Sequence, residues 1–134
     1  MKAVLILGSA SDAEWAKQIT DALGEHGIPW EQHVASAHKQ PRRVLEILDA
    51  NAGERALVYV TIAGRSNALS GFVAGNSTHP TLACPPFKDK VDMLVNIHST
   101  LQMPSRTPVL TVLDPGNCAE AVRRILQAGR SAEE

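Results

Sequence analysis

Apolar residues along this chain follow two rhythms. Residues 3–7, 28–34, 56–62, 81–84 and 109–113 form short apolar or alternating runs with the length and β-branched content of strands. Residues 56–62 are the most β-branched of these and are expected at the centre of a sheet covered on both faces. Between the runs the period changes. Trp15, Ile19 and Leu23 recur at four-residue spacing, Val44, Leu45 and Leu48 mark a helix over 41–50, and Leu94, Ile97 and Leu101 mark one over 92–103. Val122, Ile125 and Leu126 give the inward side of a helix over 117–128. Residues 68–75 are mostly small, with Leu69, Phe72 and Val73 among them, and predict a short helix buried in the core or between subunits.

The punctuation agrees with this division. Ser11 followed by Glu14 is a capping-box pattern for the first helix. Gly24, Gly27 and Pro29 stop that helix, and Pro41 suits the first turn of the next. Strands alternating with helices imply a parallel sheet with right-handed crossovers. The expected fold class is therefore α/β, a flavodoxin-like three-layer αβα arrangement on a parallel five-stranded sheet, formed by one domain over 1–134. Such sheets bind ligands outside the carboxyl ends of their strands. The loops after the first four strands all lie there.

Composition narrows the partners. The 134 residues carry a formal net charge of −1 with no long basic run, which argues against nucleic acid. The opening apolar run is too short for a signal-peptide core or a membrane span. Cys84 and Cys118 form no spaced metal motif and no disulfide framework, in keeping with a reduced cytoplasmic compartment.

The chemistry-bearing residues sit on the strand-end loops. Gly8-Ser9-Ala10-Ser11-Asp12 offers main-chain N–H groups, two hydroxyls and a carboxylate. It is neither a Walker loop nor a G-x-G-x-x-G. It reads equally as a helix cap or as a phosphate and sugar site, with Ser9 or Ser11 on phosphate and Asp12 on sugar hydroxyls. Ser36-Ala37-His38-Lys39 places a hydroxyl, an imidazole and an ammonium ahead of a helix start, where anions are favoured. His38 is the best acid–base candidate of five histidines, because histidine titrates near neutrality and this one lies on a loop. His26 reads as a helix-end residue, His33 as a strand residue, and His79 and His98 as parts of packed elements. No i, i+4 histidine pair or carboxylate cluster suggests a metal. Gly64-Arg65-Ser66-Asn67 and Ser70 surround the third strand's end, with helix capping as the bland alternative. Cys84 reads as a site wall rather than a nucleophile.

Taken together, Gly-Ser-x-Ser-Asp (8–12), Ser-Ala-His-Lys (36–39), Ala-Gly-Arg-Ser-Asn-Ala-Leu-Ser-Gly (63–71), Ala-Cys-Pro-Pro (83–86) and Leu-Gln-Met-Pro-Ser (101–105) resemble the phosphoribosylaminoimidazole carboxylases of purine synthesis, in order and over nearly the whole chain. The resemblance implies a flavodoxin-like fold, a homo-octamer, a ribonucleotide substrate, and no metal or organic cofactor. Of the family's two classes, the mutases typically carry Ser-Ala-His-Arg and a second histidine after the third strand. Here Lys39 and Ala68 stand at those positions, and Gly64 to Asn67 with Cys84-Pro85-Pro86 look like the class that uses CO2 as co-substrate. The wording around Gln102-Met103-Pro104 is closer to the mutases, and Arg106 stands where glycine is usual in both classes.

The resemblance assigns His38 as the proton carrier. It implies Gly8, Ser9, Ser11, Asp12, Ser36, Ala37 and Lys39 as contacts to the phosphate and ribose, and Gly64, Arg65, Ser66, Asn67 and Ser70 as lining around the incoming carboxylate. A non-catalytic nucleotide-binding module is an alternative of another class. A serine hydrolase using His38 and Asp12 is weak without a Gly-x-Ser-x-Gly elbow.

Overall fold

The computed structural model describes residues 1–131. Five parallel strands form one sheet in the order β2-β1-β3-β4-β5, namely β1 (Lys2–Leu7), β2 (Trp30–Val34), β3 (Leu57–Ile62), β4 (Thr81–Ala83) and β5 (Leu110–Thr111). All six residues of β3 are buried, as are the last five of β1, so the two central strands are covered on both faces. Leu5 and Val60 stand side by side in register, as do Val4 and Tyr59. The pleat sends the first pair toward helices α1 (Ala13–Glu25) and α6 (Pro115–Ser131). It sends the second toward α2 (Pro41–Asn51) and α3 (Leu69–Gly75). This is the flavodoxin-like three-layer arrangement. The strand order reverses between β1 and β3, and a crevice opens there at the carboxyl edge.

The first helix ends as its glycines predict. Gly27 has φ +70, Ile28 N–H donates to Leu23 O at 2.9 Å, and Gly27 N–H donates to Gly24 O at 3.0 Å. These are the paired bonds of a Schellman motif, and they seat Ile28 in the core beside Leu23. Strand β2 therefore starts at Trp30 rather than at residue 28, because Ile28 is spent on the helix exit. At the other end of α1 the expected capping box does not form. Ser9 caps a single 3₁₀ turn over Ala10–Asp12, its hydroxyl accepting from Ser11 N–H, and Asp12 enters α1 without a side-chain cap bond.

Two faces differ from the periodic reading. In α2 the inward set is Val44, Ile47 and Leu48, while Leu45 is exposed, since it lies one helical step off that stripe. Over 92–103 the difference is larger. Two short helices replace one, α4 (Lys90–Asn96) and α5 (His98–Leu101), and α4 buries no residue. Leu94 and Leu101 are exposed at 62% and 57%, and Val91 and Val95 at 69% and 70%, so the apolar side faces outward. Thr100 is the buried residue of α5. Helix α4 starts earlier than its apolar spacing suggests because Asp89 caps it, accepting from Asp92 N–H at 2.8 Å, while Asp92 accepts from Lys88 N–H at 3.0 Å. Helix α3 is buried as expected through Leu69, Ser70, Val73 and Ala74.

Candidate active site

The loops after β1, β2, β3 and β4 close around an open cavity of about 590 Å³. Main chains approach each other closely to form it. A Cβ on Gly8 would sit 3.3 Å from Ala63 Cβ, and one on Gly64 would sit 3.3 Å from the carbonyl oxygen of Pro86. Glycine at both positions lets three loops converge. Of the residues expected at the site, Gly8, Ser9, Ser11, Asp12, Ser36, Ala37, His38, Gly64, Arg65, Ser66 and Asn67 all line this cavity.

Lys39 and Ser70 do not line it. Lys39 is exposed beside the rim, where its N–H donates to Ser36 Oγ at 3.2 Å. Ser70 lies beneath the floor, fully buried, and its hydroxyl accepts from the Asn67 side-chain amide at 2.8 Å. A hydroxyl held this way is not presented to a ligand, which corrects the expectation for Ser70. Asn67 reaches the cavity, and both polar atoms of its side chain have protein partners. Nδ2 donates to Ser70 Oγ and, at 3.0 Å, to Thr100 Oγ1, while Oδ1 accepts from Ser70 N–H.

The cavity offers the donor set that an anionic ligand requires. His38 is exposed on its wall, and Arg65 and Lys88 add positive charge. Among the described residues, the main-chain N–H groups of Ala37, His38, Gly64, Arg65 and Ser66 donate to no other protein atom. Consecutive free N–H groups make a concavity suited to phosphate or carboxylate oxygens. Ser66 is held at φ 44, a left-handed conformation uncommon for a residue with a side chain. The Ser9 and Ser11 hydroxyls lie 2.9 Å apart. Burial pushes the Asp12 carboxyl above the usual aspartate range, against a smaller opposing hydrogen bond from the Ser9 main chain.

Ala63, Ala68, Leu69, Pro86, Phe87, Lys88, Asp92 and Asn96 complete the lining, and none of them was among the residues expected at the site. The Asp89-x-x-Asp92 cap was the available signal, since it places a helix start directly after the Cys84-Pro85-Pro86 loop. The other four histidines are elsewhere. His26 lies 3.5 Å from Glu120, His33 bonds Glu31 at 2.6 Å, and His79 bonds the Glu54 carbonyl at 2.6 Å and meets the Tyr59 ring edge-on. His98 is exposed rather than packed. Cys84 and Cys118 are both fully buried, so neither thiol meets the cavity. Among the described residues no group of three His, Cys, Asp or Glu side chains could hold a metal ion, and no helix is long and apolar enough to cross a membrane.

Fold and cavity together define a doubly wound α/β protein with a crevice at its switch point, lined by serines, free main-chain N–H groups and, among the described residues, one histidine. The sequence profile of the AIR carboxylase family matches residues 2–133, and the chain belongs to that family. It is 46% identical over 125 residues to a phosphoribosylaminoimidazole carboxylase of Archaeoglobus fulgidus, covering 93% of this chain and 68% of that protein. A phosphoribosylaminoimidazole carboxylase of Treponema denticola is 42% identical over 123 residues, covering 91% of this chain and 77% of the relative. The crystal structure of Treponema denticola PurE superposes with a TM-score of 0.81 at 34% identity, covering 98% of this chain and 90% of the other.

Proposed function

We propose that the protein carboxylates 5-aminoimidazole ribonucleotide with CO2, giving 4-carboxy-5-aminoimidazole ribonucleotide in purine biosynthesis, without a metal or organic cofactor. The observation that carries this reading is the position of His38, among the described residues the one histidine lining a cavity that also presents Ser9, Ser11, Ser36 and Ser66 and free main-chain N–H groups. The substrate phosphate would sit against Ser9, Ser36 and the free amides of Ala37 and His38, with Lys39 supplying charge from the rim. Asp12 would accept from the ribose hydroxyls.

The reacting ring carbon is electron-rich and needs no protein nucleophile. Its electron pair forms the new carbon–carbon bond to CO2, and one C–O π bond becomes the carboxylate. The amides of Gly64, Arg65 and Ser66 are suited to holding that developing charge in place. The ring carbon then carries both hydrogen and carboxylate. His38 removes the proton and the ring regains aromaticity; in the reverse direction His38 returns it. Histidine is the usual side chain for reversible proton transfer of this kind. Ala68, where the mutase pattern has a second histidine, adds no proton carrier.

Rearrangement of the N5-carboxylated ribonucleotide by the same histidine is the second reading, favoured by the mutase-like Gln102-Met103-Pro104. Under either reading the homo-octamer implied by the resemblance would give a use to the exposed apolar side of α4, and the reaction would take place in the cytoplasm. The test offers the purified protein each substrate in turn. Product from aminoimidazole ribonucleotide that scales with bicarbonate, with little from the N5-carboxylated compound in CO2-depleted buffer, is the expected result. Rapid turnover of the N5-carboxylated compound alone would assign the mutase, and turnover of neither would leave only a binding module.

A further inference from the structure

We propose that Asn67 and Thr100 are positioning residues that hold the outer wall of the cavity at its working distance from the β3 loop. That wall is the α4–α5 segment, whose two helices bury only Thr100 in the isolated chain. Helix α4 buries none of its residues and turns its apolar side outward, yet its Asp92 and Asn96 line the cavity. Across a gap of 32 residues, Asn67 N–H donates to Ser99 Oγ at 2.9 Å. Across 33 residues, Asn67 Nδ2 donates to Thr100 Oγ1 at 3.0 Å. Ser99 Oγ in turn donates to the Asn96 carbonyl at 3.1 Å, so the latch ends on a residue of the wall itself.

Burial gives these bonds their weight. Asn67, Ser70 and Thr100 are 6%, 0% and 1% exposed, so no solvent replaces a lost partner. A buried donor stripped of its acceptor bears the full desolvation cost of that group. The latch also fixes what precedes it. Ser66, at φ 44, is adjacent to Asn67 and lines the cavity, and a left-handed serine persists only where its surroundings over-determine it. Asn67 has three side-chain bonds and one main-chain bond to protein partners, and these supply that determination. The same asparagine therefore sets both the inner loop and the outer wall, with both polar atoms of its side chain bonded to protein partners.

The inference rests on the proposed function only for the identity of the ligand. Its test compares Thr100→Val, which keeps the shape and removes the acceptor, with Thr100→Ser, which keeps the hydroxyl. Ser99→Ala serves as a second latch variant should Thr100→Val not fold. Amide hydrogen exchange and calorimetric affinity for aminoimidazole ribonucleotide are measured on each. Thr100→Val should speed exchange across α4–α5 by about tenfold, leave the β1 and β3 amides as protected as before, and weaken binding by about tenfold. Thr100→Ser should restore both. Unchanged exchange in α4–α5, loosening spread equally through β1 and β3, unaltered affinity despite local loosening, or failure of the serine variant to rescue would each overturn the proposal. Should the parent protein turn over neither substrate, the proposed function falls, while the exchange pattern and the serine rescue still decide the latch.

Discussion

The indole N–H of Trp15 donates to the main-chain carbonyl of Cys84 at 3.0 Å, joining the first turn of α1 to the end of β4 across 69 residues. The Cys84 carbonyl directly precedes Pro85-Pro86, and Pro86 walls the cavity while its own carbonyl closes on Gly64. One hydrogen bond thus ties the two halves of the strand-end loop cluster. Trp15→Phe keeps most of the apolar contact and removes the donor. It should cost about 1–2 kcal/mol, read as a lower urea midpoint, because a half-buried carbonyl loses its partner. A midpoint unchanged from the parent would show that water replaces the indole at no cost.

How much of this was legible in the sequence differs by region, for physical reasons. The sheet was legible because β1 and β3 are apolar without interruption, and the exit of α1 was legible because Gly27 is a residue that left-handed backbone favours. The face of α4 was not. Periodicity shows that one side is apolar, and it cannot show that the polar side is the one facing inward, toward the site. Asn67 lines the cavity as expected and Ser70 lies buried beneath it, but the bonds that join them to each other and to the segment beyond were not legible. The partner of Asn67, Thr100, lies 33 residues away, where no local pattern connects the two. The left-handed Ser66 was equally hidden, since serine carries no conformational signature of that kind.

His38 stands apart from the other histidines by position alone, exposed on the cavity wall while His26, His33 and His79 are each tied to a protein partner. His38→Asn should fold normally and bind the ribonucleotide, while turnover falls by about 10²–10⁴-fold, the usual contribution of a general acid–base. Decarboxylation of the product, run as the reverse reaction, should fall by the same factor. Near-parental decarboxylation by the variant would remove His38 from the chemistry.

Arg106 adopts φ 61 on an exposed loop, in the left-handed region, at the position where the resembling family usually has glycine. A side chain there carries a backbone cost of roughly 1–3 kcal/mol, and glycine relieves it at an entropic penalty of about 0.5–1 kcal/mol in the unfolded chain. Arg106→Gly should therefore be neutral to modestly stabilising. Arg106→Val, with branching at Cβ, should lose about 1–2 kcal/mol more than the glycine variant. Equal urea midpoints for the two would mean that the loop leaves this conformation freely and that its strain is not held by the fold.

Asp12 sets stability against binding. Burial raises its carboxyl above the ordinary aspartate value of 3.8, so the folded protein holds this proton more tightly than the unfolded chain does. The sign follows from linkage: where the folded state binds more protons, stability falls as pH rises. The contribution of Asp12 is fully present below its unfolded value near 3.8 and is lost as pH climbs through the raised folded value. At neutral pH the ionised carboxylate is thus a local cost to the fold, maintained in a cavity where it can accept from hydroxyl groups. Asp12→Asn should make the ligand-free protein more stable at pH 7, with an advantage that shrinks toward pH 3.5. The same variant should bind the ribonucleotide about fivefold more weakly, since an amide oxygen accepts less strongly than a carboxylate. Urea unfolding at several pH values and calorimetric titration check the two halves separately. A variant less stable at pH 7 than the parent would show that Asp12 supports the loop it sits in. Unchanged affinity would take its carboxylate out of the ligand contacts.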